Sequence, residues 1–304
     1  CGIFMLEKKK MSVNGMIDRA KIAQRYITDE FVQSYKIYDS SMKNTYIDKA
    51  TLAGELEEGI EQGQFKVYFQ PKYSIKSHEI TGAEALVRWE RDNGTVLSPN
   101  AFIPVYENNG KIIELDFYVF ETVVEFIAEN LKAGREQVPI SINASSLHAS
   151  DPQTINTYIN ILKKYNVDPT MVEIELTETA AVSEYESVRK LFDSFQLHGI
   201  KTAMDDFGSG YSSLNMLKDI KVDALKLDRV FFIKTEEDKR GKDIINSILH
   251  LAQNLHLQTI SEGVEIRSQV EYLKGMDCDY IQGYVFAKPM PVKDFVKIAF
   301  AKSV

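Results

Sequence analysis

The fold is decided by the stretch VPISINASSLHASDPQTINTYINILKKYNVDPTMVEIEL, residues 138–176. It contains two short apolar runs rich in β-branched residues, 138–143 and 171–176, which predict buried strands. Between them, residues 153–165 form an amphipathic stretch that predicts a helix. A strand, a helix and a second strand in this order predict a parallel pair of strands joined by a crossover helix.

Apolar runs of this kind occur eight times after residue 65. They span residues 66–70, 80–89, 138–143, 171–176, 200–206, 222–228, 257–262 and 280–284. Amphipathic stretches at 185–199 and 241–256 predict further helices between them. Eight strands with intervening helices predict an α/β fold, a (β/α)8 TIM-like barrel. Only about nine residues separate the first two runs. A parallel crossover needs more, so we expect the first strand to be antiparallel to the second.

The first 48 residues predict a small α+β unit that is too short for a core of its own. The predicted elements are a strand in residues 1–6, a helix over about 12–27 and a strand around 35–38. Residues 51–62 then predict a linker helix. We therefore divide the chain into residues 1–48 and a main domain over 49–304.

The composition favours an average globular domain. With 44% hydrophobic and 26% charged residues, 304 residues are enough to bury a core without disulfides or a structural metal. The formal charge of -8 argues against polymeric nucleic acid as a partner. The two cysteines, Cys1 and Cys278, have no metal-site spacing and suit a reducing, cytosolic setting.

The start of the chain predicts a piece of a longer protein. It begins at Cys1, and its first residues are apolar and then basic, the reverse of a signal peptide. No apolar run reaches the roughly 18 residues of a membrane span, so we expect no membrane contact in this fragment. A missing N-terminal part could still carry a membrane anchor or a sensor.

Polar side chains lie at or near the end of nearly every predicted strand. In a parallel barrel these ends converge on one face, where active sites lie. The residues are Gln70, Glu84, Arg88, Asn143, Glu175, Asp205, Asp206, Lys226, Asp228, Glu262 and Gln282. One such residue alone is usually a cap or turn residue. A series over eight strands favours a shared site.

The residue types at this face restrict its chemistry. The predicted oxygen ligands are the carboxylates of Glu84, Glu175, Asp205, Asp206 and Glu262 and the amide of Asn143. Close carboxylates raise one another's pKa, so a counter-charge is needed. Oxygen ligands suit Mg²⁺, Mn²⁺ or Ca²⁺, and none of the five histidines lies in an HExxH motif. Adjacent Asp205 and Asp206 suit two ions that share one carboxylate, an arrangement used in attack on phosphate esters.

Two further features accompany these carboxylates. The segment FGSGYSSL, residues 207–214, is rich in glycine and serine. Such a turn is usually an ordinary loop, but beside metal ligands it can act as a mobile gate near the ions or a partner subunit. Lys226 would be a buried cation that holds the attacking water or a phosphate oxygen, or else a structural salt bridge.

Eight motifs follow one another along the predicted strands. They are YFQPKY (68–73), AEALVRW (83–89), SINAS (141–145), IELTE (174–178), DDFGSGYSSL (205–214), LKLDRVF (225–231), SEGVE (261–265) and QGYVFAKPMP (282–291). Together, over about residues 50–300, they resemble the EAL family of cyclic di-GMP phosphodiesterases. A lone EAL tripeptide would carry no weight, whereas this ordered series is specific.

The resemblance implies hydrolysis of cyclic di-GMP to linear pGpG on two divalent cations, Mg²⁺ or Mn²⁺, with Ca²⁺ inhibitory. The first ion would be held by Glu84, Asn143, Glu175 and Asp205, and the second by Asp205, Asp206 and Glu262. The implied catalytic residues are Glu84, Lys226 and Glu262. Lys226 would orient the attacking water, and in an older view of the family Glu262 is the general base.

The resemblance also implies roles around the metal site. Gln70, Arg88 and Gln282 would contact the dinucleotide. Glu178 would pin the loop of Phe207, Gly208, Ser209 and Gly210, which couples activity to dimerisation; Ser209 stands where the family often has threonine. Asp228 and Glu265 would complete the acidic set. The implied partners are cyclic di-GMP and a second copy of the chain, in a homodimer through the barrel, and the implied location is the bacterial cytosol.

The first 48 residues resemble the C-terminal end of a GGDEF domain. The resemblance rests on MIDRAKIA (16–23) and YKIYDSSM (35–42). The GGDEF signature is absent from the sequence, which implies that this fragment has no cyclase activity.

Two alternatives to the phosphodiesterase stay open. A catalytically silent relative would bind cyclic di-GMP and pass the signal to a partner, although the complete set of ligands favours an enzyme. A different metal-dependent barrel enzyme would share the fold and the carboxylates. The QP, DDFG and QGY elements together disfavour that second alternative.

Overall fold

A computed structural model of the chain describes residues 1–5, 13–24, 35–38, 51–92, 94–208, 214–232 and 239–300. The N-terminal elements within these ranges are β1 (Gly2–Ile3), α1 (Val13–Gln24) and β2 (Lys36–Ile37). Strands β1 and β2 pair in parallel, and Arg19 of α1 lies over the rings of Phe4 and Tyr38. The predicted order of strand, helix and strand is confirmed, while the outer ends of the predicted helix lie outside the described residues.

Eight strands close into a barrel. They are β3 (Phe65–Ser74), β4 (Ile80–Glu90), β6 (Ile140–Asn143), β7 (Val172–Thr177), β8 (Lys201–Phe207), β9 (Ala224–Leu227), β10 (Gln258–Ser261) and β11 (Tyr280–Ile281). A short strand outside the barrel, β5 (Val96–Leu97), follows β4 in the sequence. Strand β5 extends the sheet beside β4, and β12 (Met290–Pro291) pairs with β3. Strand β3 is antiparallel to both of its barrel neighbours, β4 and β11, and the other barrel pairs are parallel. The predicted barrel with an antiparallel first strand is confirmed.

The antiparallel strand follows from the short connection between β3 and β4. Residues 75–79 are too few to carry the chain back along the barrel, so β4 returns directly beside β3. The register places Gln70 opposite Glu84. Both side chains therefore lie at one level of the barrel wall.

Helices surround the barrel and bury their apolar faces against it. They are α2 (Leu56–Glu61), α3 (Pro99–Asn109), α4 (Ile112–Lys132), α5 (Thr154–Tyr165), α6 (Glu178–Ser183), α7 (Tyr185–Leu197), α8 (Leu214–Asp219), α9 (Lys239–Asn254), α10 (Arg267–Lys274) and α11 (Val292–Ala299). In α7 the buried residues Val188, Leu191, Phe192 and Phe195 recur at helical spacing. Each such side chain stabilises the fold by about 1.5–3 kcal/mol.

None of the helices in the described part of the chain is long and apolar enough to cross a membrane.

An aromatic cluster fixes the linker helix against the barrel. Phe65 stacks on Trp89 with ring centroids 4.7 Å apart, and Tyr106 donates a hydrogen bond to the Leu52 carbonyl at 3.0 Å. A Cβ atom at Gly59 would lie 2.8 Å from the Phe65 ring, so α2 approaches β3 closely only because residue 59 is glycine. The predicted linker helix is present, with a bend at residue 55.

Candidate metal and substrate site

The carboxyl ends of the barrel strands bring the predicted acidic ligands together. One carboxylate oxygen from each of Glu84, Glu175 and Asp205 lies within 4.8 Å of the others. Asp205, Asp206 and Glu262 form a second group within the same distance. Because Asp205 belongs to both groups, the two clusters are adjacent and share one carboxylate.

A backbone irregularity places two consecutive aspartates in this site. In a regular strand, neighbouring side chains point to opposite faces. The register between β8 and β9 shifts between Met204 and Phe207, and Asp206 has a positive φ of 53°. Its backbone N–H donates a hydrogen bond to Asp205 Oδ1 at 2.8 Å. This local distortion allows Asp205 and Asp206 to join one acidic group.

Lys226 on β9 is a buried cation at the centre of the cluster, as the sequence predicted. Its Nζ atom lies 2.5 Å from Glu175 Oε2, 2.6 Å from Glu262 Oε1, 3.1 Å from Asp205 Oδ1 and 3.4 Å from Glu84 Oε2. Burial alone would lower the pKa of Lys226, but the surrounding carboxylates raise it well above its usual value. The ammonium group therefore stays charged.

A second buried lysine lies deeper in the barrel, and sequence reasoning missed it. Lys72 Nζ is 3.0 Å from Glu175 Oε1 and 3.0 Å from Glu173 Oε1. The sequence contained a signal for this lysine. Gln70 and Lys72 are two residues apart on β3, and Glu173 and Glu175 are two residues apart on β7, so the two side chains of each pair point to the same face of their strand. Polar residues at period two mark a charged layer inside the barrel.

The carboxylates respond differently to this environment. Burial raises the pKa of Glu84 and of Glu262 above the usual range for a glutamate. Burial would also raise the pKa of Glu175, but Lys226 and Lys72 outweigh it and hold the value at about 2. Burial, Asp205 and Asp228 raise the pKa of Asp206 to about 7. The protein groups alone thus leave part of the cluster short of positive charge.

The donor set fits divalent cations. Six carboxylates, of Glu84, Glu173, Glu175, Asp205, Asp206 and Glu262, face two lysines, Lys72 and Lys226. The carboxylates outnumber the lysines, and divalent cations would offset this excess of negative charge. Oxygen ligands of this kind suit Mg²⁺ and Mn²⁺.

Three amide side chains border the acidic groups. Asn143 donates to Glu84 Oε1 at 2.6 Å, and Gln282 donates to Glu84 Oε2 at 2.5 Å and to Gln70 Oε1 at 3.2 Å. The Oε1 atom of Gln282 is buried and has no hydrogen-bond partner among the described residues. It is an acceptor available to a ligand's N–H or O–H group.

Two cavities open beside the cluster. The first, of about 330 Å³, is bordered by Gln70, Glu84, Asp206, Glu262 and Gln282. Asp228 and Glu265 also line it. The second, of about 420 Å³, contains Arg88 together with Asn143, and it shares Glu84 with the first. Arg88 thus lines a different cavity from Gln70 and Gln282, and Glu84 borders both cavities.

The predicted loop contact involves Glu178 and Gly208. Glu178 Oε2 accepts a hydrogen bond from the Gly208 backbone N–H at 2.8 Å. Gly208 has φ +94°, and a Cβ atom there would lie 2.0 Å from the Phe231 ring. Phe207 is buried at the end of β8. Ser209 and Gly210, the other predicted loop residues, lie outside the described residues.

A family model described as "EAL domain" matches residues 53–289 of the chain. The chain belongs to the EAL family. Its EAL domain includes every strand of the barrel and both acidic groups.

Curated relatives carry names of cyclic di-GMP enzymes. MucR of Pseudomonas aeruginosa, named a bifunctional diguanylate cyclase/cyclic di-GMP phosphodiesterase, is 28% identical over 91% of this chain and 40% of its own length. NbdA of the same organism, named a cyclic di-GMP phosphodiesterase, is 31% identical over 78% of this chain and 30% of its own. PdeB of Escherichia coli, named a probable cyclic di-GMP phosphodiesterase, is 32% identical over 80% and 46%. The chain spans less than half the length of these relatives.

Solved structures share the barrel. The MucR phosphodiesterase in complex with c-di-GMP matches with a TM-score of 0.75 at 28% identity, covering 81% of this chain and 99% of that one. An EAL domain protein from Listeria monocytogenes matches with a TM-score of 0.70 at 32% identity, covering 80% and 95%. These structures agree with the (β/α)8 fold of the EAL domain.

Proposed function

We propose that this EAL domain hydrolyses cyclic di-GMP to linear pGpG with two divalent cations, Mg²⁺ or Mn²⁺. The observation that carries the proposal is the pair of acidic groups that share Asp205 beside a cavity of about 330 Å³. Two adjacent divalent sites suit displacement at a phosphate diester. The names of MucR, NbdA and PdeB support cyclic di-GMP as the substrate.

The ions would be divided between the two groups. Glu84, Asn143, Glu175 and Asp205 would hold the first ion, and Asp205, Asp206 and Glu262 the second. Bound ions supply a water of lowered pKa and neutralise charge on the phosphate oxygens. The charge excess of the cluster supports this occupancy.

The chain's own residues would position the reacting groups. Lys226 is a fixed, charged donor among the acidic ligands, and we assign it the orientation of the attacking water. Glu262 is more exposed than the other three carboxylates around Lys226, with 21% side-chain exposure, and this access suits a group that takes up a proton from water. Glu84 would act as a metal ligand in this step.

Three side chains would bind the dinucleotide. Gln70 and Gln282 border the first cavity, and Gln282 Oε1 is a buried acceptor without a hydrogen-bond partner in the described part of the chain. Arg88 lies in the adjoining cavity, where its guanidinium suits a phosphate oxygen. Asp228 and Glu265 would support the acidic wall of the first cavity.

The proposal extends to assembly and to the flanking residues. Glu178 holds Gly208, and we assign the loop 207–210 to coupling between activity and a homodimer formed through the barrel.

We assign residues 1–48 to the end of a GGDEF domain and 49–304 to the EAL unit. Two observations support that division: the parallel pair β1 and β2, and the match to MucR, named a bifunctional diguanylate cyclase/cyclic di-GMP phosphodiesterase, over 91% of the chain and so beyond the family model. Since the proposed substrate is an intracellular second messenger, we place the domain in the bacterial cytosol.

Chromatography of cyclic di-GMP incubated with the protein tests the proposal. We expect pGpG with Mg²⁺ or Mn²⁺, and little with Ca²⁺, whose longer bonds and looser coordination misplace the water. Glu84→Gln and Asp205→Asn should each lower turnover by about a thousandfold or more. The control is Asp279→Asn, because Asp279 accepts a hydrogen bond from the Thr259 N–H at 3.0 Å, away from the acidic groups.

Each outcome has a distinct meaning. Turnover in excess EDTA equal to that with Mn²⁺ would contradict the metal mechanism. Binding of cyclic di-GMP without pGpG, measured by calorimetry in Ca²⁺ and in Mn²⁺, would make the same residues a receptor pocket. The absence of both binding and product would exclude cyclic di-GMP as the ligand of this EAL domain.

A further inference from the structure

A buried acid and a buried imidazole lie behind the loop that carries Asn143. Asp116, on α4, is 9% exposed, and His148 is fully buried. His148 Nε2 lies 3.0 Å from Asp116 Oδ2, and the imidazole donates because a carboxylate only accepts. The same oxygen accepts a hydrogen bond from the Ser145 backbone N–H at 2.8 Å. One carboxylate oxygen therefore connects α4 to the loop after β6.

The surroundings make His148 dependent on this bond. The rings of Phe117 and Tyr158 lie 5.0 Å and 5.6 Å from the imidazole, and the Tyr158 hydroxyl is 3.5 Å from Nε2. The Nδ1 atom is buried without a hydrogen-bond partner among the described residues. In that part of the chain, His148 is also the one basic side chain within ion-pair distance of Asp116. When a buried carboxylate has few hydrogen-bond donors, the removal of one donor leaves it poorly compensated and raises the free energy of the folded state.

The loop held by Asp116 leads directly to the metal site. The Ala144 backbone N–H donates to the Glu175 carbonyl at 2.9 Å, and Ser145 is held by Asp116 from the other side. Asn143, the residue before Ala144, donates from its side chain to Glu84 Oε1 at 2.6 Å. Strand β7 and helix α4 thus fix the backbone on which the Asn143 side chain stands.

We propose that Asp116 and His148 are a positioning pair for Asn143. His148 orients Asp116, Asp116 holds the Ser145 N–H, and the loop then sets the Asn143 amide against Glu84 and the first metal ion. The inference rests on the proposed metal site. Groups that orient metal ligands typically change metal affinity or activity by about 10–100-fold when removed.

Metal titration of the nucleotide-free protein tests the pair. His148→Leu removes the N–H donor, and His148→Gln retains an N–H donor. We expect His148→Leu to weaken Mn²⁺ binding, measured by calorimetry, by about tenfold or more, with kcat reduced and KM for cyclic di-GMP unchanged. His148→Gln should stay within about threefold of the wild type. If His148→Leu does not fold, Asp116→Ala takes its place with the same expected loss, because it removes the oxygen that accepts from Ser145 and His148.

The matched control is Asp223→Asn. Asp223 Oδ2 accepts a hydrogen bond from the Thr202 N–H at 2.8 Å, near the start of β8. This is the same kind of carboxylate-to-backbone contact as that between Asp116 and Ser145. We expect unchanged Mn²⁺ affinity in this variant. Equal Mn²⁺ affinity in wild type and His148→Leu would overturn the proposal. So would an equal loss in His148→Gln or in Asp223→Asn, since either would mean a general effect on stability.

Crystal structures of the variants decide the inference without metal or turnover. The hydrogen bond between Asn143 and Glu84 should persist in His148→Gln and be lost in His148→Leu, or in Asp116→Ala if that variant replaces it. Its retention in His148→Leu, or in Asp116→Ala in its place, would overturn the proposal. If the wild type binds Mn²⁺ but forms no pGpG, the proposed hydrolysis is wrong. The comparison of Mn²⁺ affinity between the wild type and the His148 variants remains a valid test of the positioning pair. A wild type that binds no Mn²⁺ would end the proposed function, and the crystal structures alone would then decide.

Discussion

Lys72 and Glu173 form an ion pair inside the barrel, with 3.0 Å between Nζ and Oε1 and less than a tenth of either side chain exposed. Lys72 also contacts Glu175, so its removal would take the ion-pair partner from Glu173 and leave Glu175 with Lys226 alone among the described residues. We expect Lys72→Met to lower the free energy of unfolding by about 3–5 kcal/mol, measured by urea denaturation.

Two further variants identify buried charge as the cause. Lys72→Met combined with Glu173→Gln should recover part of the loss, because one unpaired carboxylate is removed. Lys297 forms an exposed pair with Asp294, and Lys297→Met should leave stability unchanged. Equal losses in the two single lysine variants would contradict the explanation.

Lys226 is expected to affect both catalysis and the response to metal. Lys226→Met removes the cation among four carboxylates, so their repulsion should destabilise the metal-free protein. Mn²⁺ should then raise the melting temperature more in the variant than in the wild type. Turnover should fall by about a hundredfold or more, because the attacking water loses the donor that orients it. Equal melting shifts in the two proteins would contradict this account.

Asp206 should make the metal-free protein sensitive to pH. Its folded pKa of about 7 lies above the ordinary value of 3.8, so the folded state binds the proton more tightly than the unfolded state. The contribution to stability is therefore greatest below the ordinary pKa and is lost as the pH rises through about 7. In EDTA, the melting temperature of the wild type should fall relative to that of Asp206→Asn as the pH rises from about 5 to 8. Parallel curves would contradict the assignment.

Gly208 should tolerate no side chain. Its φ of +94° disfavours other residues, and a Cβ atom would overlap the Phe231 ring. Gly208→Ala should lower both urea stability and turnover, since the backbone or the Phe231 ring must shift to admit the methyl group. Gly134 is the matched control, because it has φ +71° with nothing within 4 Å of a built Cβ atom. Gly134→Ala should cost only about 1–2 kcal/mol of backbone strain and leave turnover unchanged.

The barrel could be predicted because two strong local signals agree. Apolar runs and amphipathic stretches alternate along the chain, and residues 172–177, 201–207 and 224–227 form strands within about two residues of their predicted bounds. The antiparallel first strand followed from the length of one turn. Helices α3 and α4 were not predicted individually, although the signal for α4 was present, since Leu115, Val119, Val123 and Ile127 recur at helical spacing on its buried face.

The site was predictable as a set of residue types at strand ends, but its supporting contacts were not. The bond from Asp116 to Ser145 joins residues 29 positions apart on a helix and a loop, and no local pattern indicates it. The shift that turns Asp206 toward Asp205 is a backbone property that residue types alone do not indicate. Long-range pairing and local backbone distortion required the structure.

The reversed direction of β3 decides where the rest of the chain meets the barrel. Phe65 lies opposite Trp89, so the chain enters the barrel at the end where β4 finishes, which is the end that carries the acidic groups, rather than at the base. Helix α2, seated on Phe65 through Gly59, is therefore close to the strand that carries Glu84 and Arg88. Helix α2 and the acidic groups are thus connected through one strand, β4, without the body of the barrel between them.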